Sequence, residues 1–427
     1  MLRKVRRKYK ISVLFKNIQS KASWYFMADE KGKTDNAKGS GFLNSKNAYT
    51  GILLMGVVSL MGDIVYEGSR GLVPEYLKFL GASALVVGLI GGLGEFIGYA
   101  LRLVSGFLAD TTRAYWLFIF CGYGLIVSVP LLGFTSGWEI AIILVLFERI
   151  GKALRAPSRD TVLSIISKDV GAGKAFGIHE LLDQVGAVLG PIIVTTLMFY
   201  SNNNYRQTFS SLLLPFLMLL IALAYTYRKV GSKMISETKA ADSSGKKLEK
   251  PFYIYTLAVL FNTIGLIPAA LILYKASVIL PPEQQYIVPL FYLVIQGVDA
   301  SIALIAGYAY DKFGVKFLAL PFILSMFPPL FTMIDAGLLS LAVASAFFGI
   351  VLGMQESIYR AAVTKFAPIS SRGTAYGIFN TAYGVGFIIS GGIYGALMDW
   401  GAPLSVTLLF VVVLQAAAVI TLLRTQK

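Results

Sequence analysis

Apolar residues in this chain come in continuous runs rather than in alternation. From about Ala48 to Leu423, long and largely apolar stretches follow one another with only short polar breaks. A helix crossing the hydrocarbon core of a bilayer needs roughly 20 such residues. The pattern predicts twelve helices, at 48–72, 83–109, 114–134, 138–160, 174–200, 207–228, 251–275, 285–310, 316–335, 337–364, 373–398 and 402–424. A membrane β-barrel would instead alternate apolar and polar positions over segments of about ten residues. The expected fold is therefore an all-α membrane protein.

Composition agrees with lipid as the solvent: of 427 residues, 56% are hydrophobic and 14% charged, and the mean hydropathy is +0.69. The formal charge of +15 suggests nucleic acid only until the cations are placed on the pattern. With a cytoplasmic N-terminus, 30 of the 38 Lys and Arg residues fall in the tails and in the loops after even-numbered helices. Arg70, Lys78, Arg206 and Lys275 fall outside, and four more are intramembrane. This positive-inside bias puts both termini in the cytoplasm of a multi-pass cell-membrane protein and excludes nucleic acid as the partner.

Residues 1–47 form a basic tail with twelve Lys or Arg against three Asp or Glu. They read as a solvated cytoplasmic extension that helps fix topology, with contact to an anionic leaflet as the alternative. Met27 is an alternative initiation point. Residues 229–250, rich in Lys, Ser and Gly, read as a flexible linker. They separate two bundles of six helices, 48–228 and 251–427. The bundles repeat: the segment from Ala175 aligns with that from Ala375 at an offset of 200, matching Gly177 with Gly377 and Gly186 with Gly386. Gly106 and Asp110 match Gly307 and Asp311 at an offset of 201, as Arg159 matches Arg360.

These residues resemble the major facilitator superfamily. Its signature after the second helix of a half, G-x-L-x-D-R-x-G-R-R, appears in the second half as Gly307, Asp311, Lys312, Gly314 and Lys316. The first half keeps Gly106, Leu108 and Asp110 but continues with Thr111, Thr112, Arg113 and Ala114. The resemblance implies a conformational latch at Asp110, Arg113, Asp311 and Lys312. The fifth helix is similar to the antiporter signature G-x8-G-x3-G-P-x2-G-G through Gly177, Gly186, Gly190 and Pro191, with Val194 and Thr195 in place of the final glycines. Glycines on one face let helices approach closely and the proline bends the helix, so these four residues read as a packing hinge. Because the signature is associated with proton-coupled exporters, the resemblance points to efflux by antiport.

Each ionisable group at mid-membrane costs about 2.5–3.5 kcal/mol on insertion scales and so needs a partner or a task. Asp63, Glu67 and Arg70 share one face of the first helix, and Glu95 and Arg102 one face of the second. In the fourth, Glu148 begins a stripe with Lys152 and Arg155, and Arg149 is the nearest match to an intramembrane arginine frequent in the family. His179 and Asp183 share the glycine-bearing face of the fifth helix, with Glu180 turned about 100° away. The groups on helices two, four and five are expected to form a mixed-sign cluster on the inner side of the first half, while Asp63 and Glu67 lie past the midpoint of the first helix, away from the basic cytoplasmic rim. The second half offers Asp299, and Glu356 with Arg360 at i, i+4 spacing; Asn262, Tyr274 and Lys275 add polar groups to helix seven, and Phe252, Tyr255, Tyr292 and Tyr383 add aromatics. These charges are candidates for proton coupling or for lining a cavity, and a purely structural ion-pair cluster is the alternative.

One cysteine, Cys121, excludes an intramolecular disulfide, and one histidine, His179, excludes a multi-imidazole zinc site. No phosphate-binding loop, dinucleotide fingerprint or nucleophile elbow occurs. The expectation is a non-enzyme without cofactor or metal, acting as a monomer in the lipid bilayer on a small-molecule substrate, with protons as coupling ion. Proton-coupled export of a small organic solute is the leading reading. An uptake symporter or facilitator for a sugar or organic anion is the second, and a non-transporting membrane sensor the third.

Overall fold

The computed structural model describes residues 45–167, 170–231, 247–334, 336–368 and 371–426. The basic tail up to residue 44 and the linker segment 232–246 lie outside the described residues. Among the described residues every regular element is helical. The principal helices are α1 Ser45–Phe79, α2 Ala84–Thr112, α3 Tyr115–Gly124, α4 Trp138–Ile166, α5 Ala172–Tyr200 and α6 Leu213–Val230. They continue as α7 Lys250–Gly265, α8 Val288–Phe313, α9 Ala319–Leu324, α10 Gly337–Met354, α11 Arg372–Asp399 and α12 Leu404–Leu423. Short helices extend several of them, such as Ala269–Ile279 after α7 and Arg360–Phe366 after α10.

Ten segments are long and apolar enough to cross a membrane by length and composition. One of these, Pro282–Met333, is 52 residues long, and its path turns at Gly314, whose φ of 63° favours a residue without a Cβ. The helix α4 is 29 residues long but too rich in Glu, Arg and Lys to be among the ten. Its charges face inward, as described below.

The first helix is longer than its apolar pattern indicates. It runs through Pro74 to Phe79, so Lys78, which the charge count placed outside, lies in its last turn, and Arg70 stands well inside the helix, where its ion pairs explain how it is tolerated.

Glycines set where the helices touch. On α5, a Cβ at Gly186 would lie 2.7 Å from the Leu60 carbonyl oxygen, and one at Gly190 would lie 2.6 Å from the Gly68 nitrogen, so both hold α5 against α1. Pro191 is buried beside them. Gly177, grouped with them by sequence, is exposed and would meet nothing within 4 Å. It lies beyond the stretch of contact. The helices α2 and α11, one from each half, meet backbone to backbone at Gly88 and Gly391, and a Cβ at Gly395 would be 2.6 Å from the Ala84 carbonyl oxygen.

At the same end the halves are clasped by polar contacts. The Ala84 and Leu85 amides each donate to an oxygen of Asp399 at 2.9 Å, capping the N-terminus of α2 with a carboxylate from α11. Asn203, in the left-handed conformation, donates from its amide to the carbonyls of Pro282 and Glu283 at 3.0 Å and accepts from the Tyr286 amide at 2.9 Å. Lys78 donates to the Ser277 carbonyl. At the opposite end Phe107, Tyr308 and Phe313 are exposed.

The seam between α2 and α11 yields a direct test. Gly391→Val places two methyl groups where only a backbone fits, and overpacking of this kind costs about 1–3 kcal/mol. Thermal unfolding of the purified protein in detergent should shift down by several degrees, while Gly177→Ala, facing open space, should leave it unchanged.

Candidate functional site

A cavity of about 370 Å³ lies between the halves, lined by α1, α2, α4, α5, α8 and α11 and by residues flanking α7 and α10. The charge stripes read from the sequence all meet here. Asp63, Glu67 and Arg70 of α1, Glu95 and Arg102 of α2, Glu148, Arg149, Lys152 and Arg155 of α4, and His179, Glu180 and Asp183 of α5 all line it. From the other half come Asp299, Glu356 and Arg360.

Glu67 is the centre of an ion network. Its side chain accepts from Arg70 at 3.2 Å, lies 3.6 Å from the Lys152 ammonium, and accepts a short bond from the Tyr292 hydroxyl of α8. Arg70 also pairs with Glu95, and Glu95 lies 3.7 Å from Arg149. Glu148 is 4% exposed and stands 3.5 Å from Arg149 and 3.8 Å from Arg155. Tyr66 packs beneath two of the cations, 4.7 Å from Lys152 and 4.9 Å from Arg155, and its ring face stabilises them further. Glu67 of α1 is thus joined to the carboxylates of α2 and α4 through Arg70, Arg149 and Lys152.

A second group forms where α5 meets α1 and α4. His179 shares a hydrogen bond of 2.9 Å with the Ser59 hydroxyl, which lies 3.0 Å from the Tyr123 hydroxyl. Arg159 donates to Ser59 at 3.1 Å and pairs with Asp160 at 3.1 Å and Asp183 at 3.7 Å. Asp63 and Asp183 both line the cavity beside this group. Arg159 and Ser59 were absent from the candidate site residues. The match of Arg159 with Arg360 in the repeat is the signal that could have found the arginine, whereas Ser59 carries none.

The second half departs from its sequence reading. Glu356 and Arg360 make no ion pair within 4.0 Å, and residues Gln355–Tyr359 form a π-helical turn. Asn262 lies in the core, donating to Ser325 and Gln415 at 2.9 Å and accepting from Tyr359 at 2.8 Å. Phe252 and Tyr255 are buried away from the cavity, while Tyr292 and Tyr383 line it. Asp299 is buried with its Oδ1 atom unbonded.

The proposed latch residues are not engaged with a neighbouring helix's arginine. Asp110 is exposed and accepts from the Tyr115 hydroxyl at 3.1 Å. Arg113 caps α2 in the left-handed conformation, with φ 56°, and Asp311 and Lys312 are exposed.

A family profile described as Major Facilitator Superfamily matches residues 52–391. The chain belongs to that superfamily. An uncharacterized protein of Mycobacterium tuberculosis is 35% identical over 380 residues, covering 86% of this chain and 90% of that one. An uncharacterized MFS-type transporter of Methanocaldococcus jannaschii is 28% identical over 349 residues, covering 80% and 85%. Among solved structures, the nucleoside transporter NupG superposes with a TM-score of 0.70 at 12% identity, over 88% of this chain and all of that one. The peptide transporter POT, in complex with sulfate, superposes with a TM-score of 0.68 at 15% identity, over 88% and 94%. The all-α fold and membership of this transporter superfamily are thereby shown, and the cavity is that of a multi-pass membrane transporter.

Removing one partner from a buried ion network leaves uncompensated charge and costs about 3–5 kcal/mol. Glu148→Ala strands Arg155, so it should lower the unfolding temperature markedly. Arg424→Gln, at an exposed helix end, should change stability by less than about 0.5 kcal/mol. Thermal unfolding of the two variants side by side is the measurement.

Proposed function

We propose that this superfamily member is a proton-coupled secondary transporter that exports a small organic solute by alternating access between two six-helix halves. The observation that carries the reading is the setting of Glu67. Its partners come from α1, from α4 and, through Tyr292, from the opposite half. When the halves part around the cavity, that carboxylate loses one partner and must be resatisfied. A carboxyl group that exchanges partners between two states changes its proton affinity and can load and release a proton. Asp63, one turn earlier on α1 and also lining the cavity, supplies a second candidate position. The proton's drive is about 2.3 kcal/mol per charge per 100 mV.

The same reading takes the chain as twelve crossings, with the 52-residue segment divided at Gly314 and α4 counted in. Both termini and the linker are cytoplasmic, in line with the basic residues of the even-numbered loops. The clasp at Asp399, Asn203 and Lys78 then closes the outer side, and the cavity faces inward with the latch of Asp110, Arg113, Asp311 and Lys312 released. Export is favoured by Gly186, Gly190 and Pro191 packed on α1, the surviving part of the exporter-associated signature. Uptake by a symporter is the second reading, favoured by the cationic groups along the cavity. No catalytic step is assigned.

Proton flux in proteoliposomes under an imposed pH gradient tests this, with a panel that begins with nucleosides and short peptides, the solutes named for the structural neighbours. A solute that moves protons, with flux reduced at least about tenfold in Asp63→Asn or Glu67→Gln, is the expected result. The direction of solute movement against the gradient separates export from uptake. Solute movement without protons, unchanged in both variants, would show a facilitator with structural carboxylates.

A further inference from the structure

Among the described residues, two arginines in the cavity lack a carboxylate in ion-pair range, with Glu356 and Asp160 acting on them only from farther off. Arg102 of α2 and Arg360, in the helix Arg360–Phe366 of the other half, both face the ring of Tyr99, with guanidinium carbons 5.1 and 5.7 Å from its centroid. Neither has a carboxylate oxygen within 4.0 Å, whereas Arg70, Arg149, Lys152, Arg155 and Arg159 all do. The Arg102 Nε atom is buried without a hydrogen-bond partner.

The internal repeat shows how Arg360 came to stand alone. Its counterpart Arg159 is neutralised by Asp160 and Asp183. At the offsets of the repeat, those two positions are Ala361 and Tyr383 in the second half. The arginine is kept while both of its carboxylates are replaced by side chains that cannot neutralise it. Glu356, on the preceding turn, stands beyond 4.0 Å from it.

Like charges on one ring repel in a medium of reduced dielectric, and guanidinium forks are shaped to bind a planar or tetrahedral oxyanion in two-point contact. We propose that Arg102 and Arg360 form an oxyanion subsite, so that the transported solute carries a carboxylate or phosphate group held between the two halves beside Tyr99. Because one arginine belongs to each half, an anion seated there draws the halves together, and occupancy is thereby coupled to closure around the solute. This deepens the reading of the cavity as the substrate path and does not depend on proton coupling.

Anion binding to the full-length protein in detergent tests the subsite without transport. Thermal unfolding is followed while inorganic phosphate, acetate or succinate replaces chloride at constant ionic strength. A ligand that binds only the folded state raises the unfolding temperature saturably. The expected result is a saturable rise with phosphate or with a carboxylate, the responding ion naming the head group. The apparent Kd should increase about tenfold or more in Arg102→Gln and Arg360→Gln and stay as in the parent in Arg424→Gln. Arg102→Lys, which keeps the charge but not the fork, serves if the Gln variants do not fold and should weaken binding measurably. No saturable rise with any of the three ions, or one that survives loss of either arginine, overturns the proposal. Proton-coupled flux of an uncharged solute by a protein that binds no oxyanion would sink the subsite alone. Oxyanion binding without proton flux would leave the subsite standing and remove the coupling.

Discussion

A charge removed from water must find its opposite inside the protein, and in this chain that requirement fixes the first half. Glu67 needs both Arg70 on its own helix and Lys152 on α4; Arg70 needs Glu95 on α2; Glu95 and Glu148 share Arg149. Satisfying these pairs together fixes the rotation of three helices about their axes. Apolar packing alone would leave each helix free to turn, since lipid tails solvate Leu as well as a neighbouring helix does. The glycines of α1 and α5 then admit the close approach that lets short side chains such as Ser59 reach His179 and Arg159.

The two halves solve the same packing problem with different chemistry. In the second half the buried polar centre is neutral: Asn262 bridges Ser325, Gln415 and Tyr359, and Gln355 accepts from the Tyr383 hydroxyl at 2.7 Å. Amide and hydroxyl groups hold helices together without a charge that must be rebalanced when the halves move. Charge is therefore concentrated in one half, and the other contributes a few groups, Tyr292, Asp299 and Arg360, aimed across the gap.

The fold class was legible because a helix in lipid satisfies its backbone internally and announces itself by length and hydropathy. The inward faces of α1, α2 and α4 were legible for the same reason, as charge in those segments has nowhere else to go. What the pattern could not give was partnership between helices. Lys152 reaching Glu67, Arg159 reaching Ser59, and Asn262 turned into the core depend on how helices distant in sequence are rotated against each other. The end of α1 was placed too early, at 72, whereas the helix runs on through Pro74 and Lys78 to Phe79.

At Gly88 and Gly391 two backbones touch with no side chains interlocked. Most helix interfaces come apart only after knobs leave their holes, each passing through strained rotamers on the way. Here the neighbouring contacts set Leu89 against Gly392 and Phe96 against Gly384, so the side chains meet shallow glycine surfaces rather than deep holes. What parting would uncover is a pair of peptide carbonyls with a free lone pair each, which water can hydrate at once. Opening on that side can therefore begin with wetting of the seam, ahead of any rearrangement of the larger side chains around it.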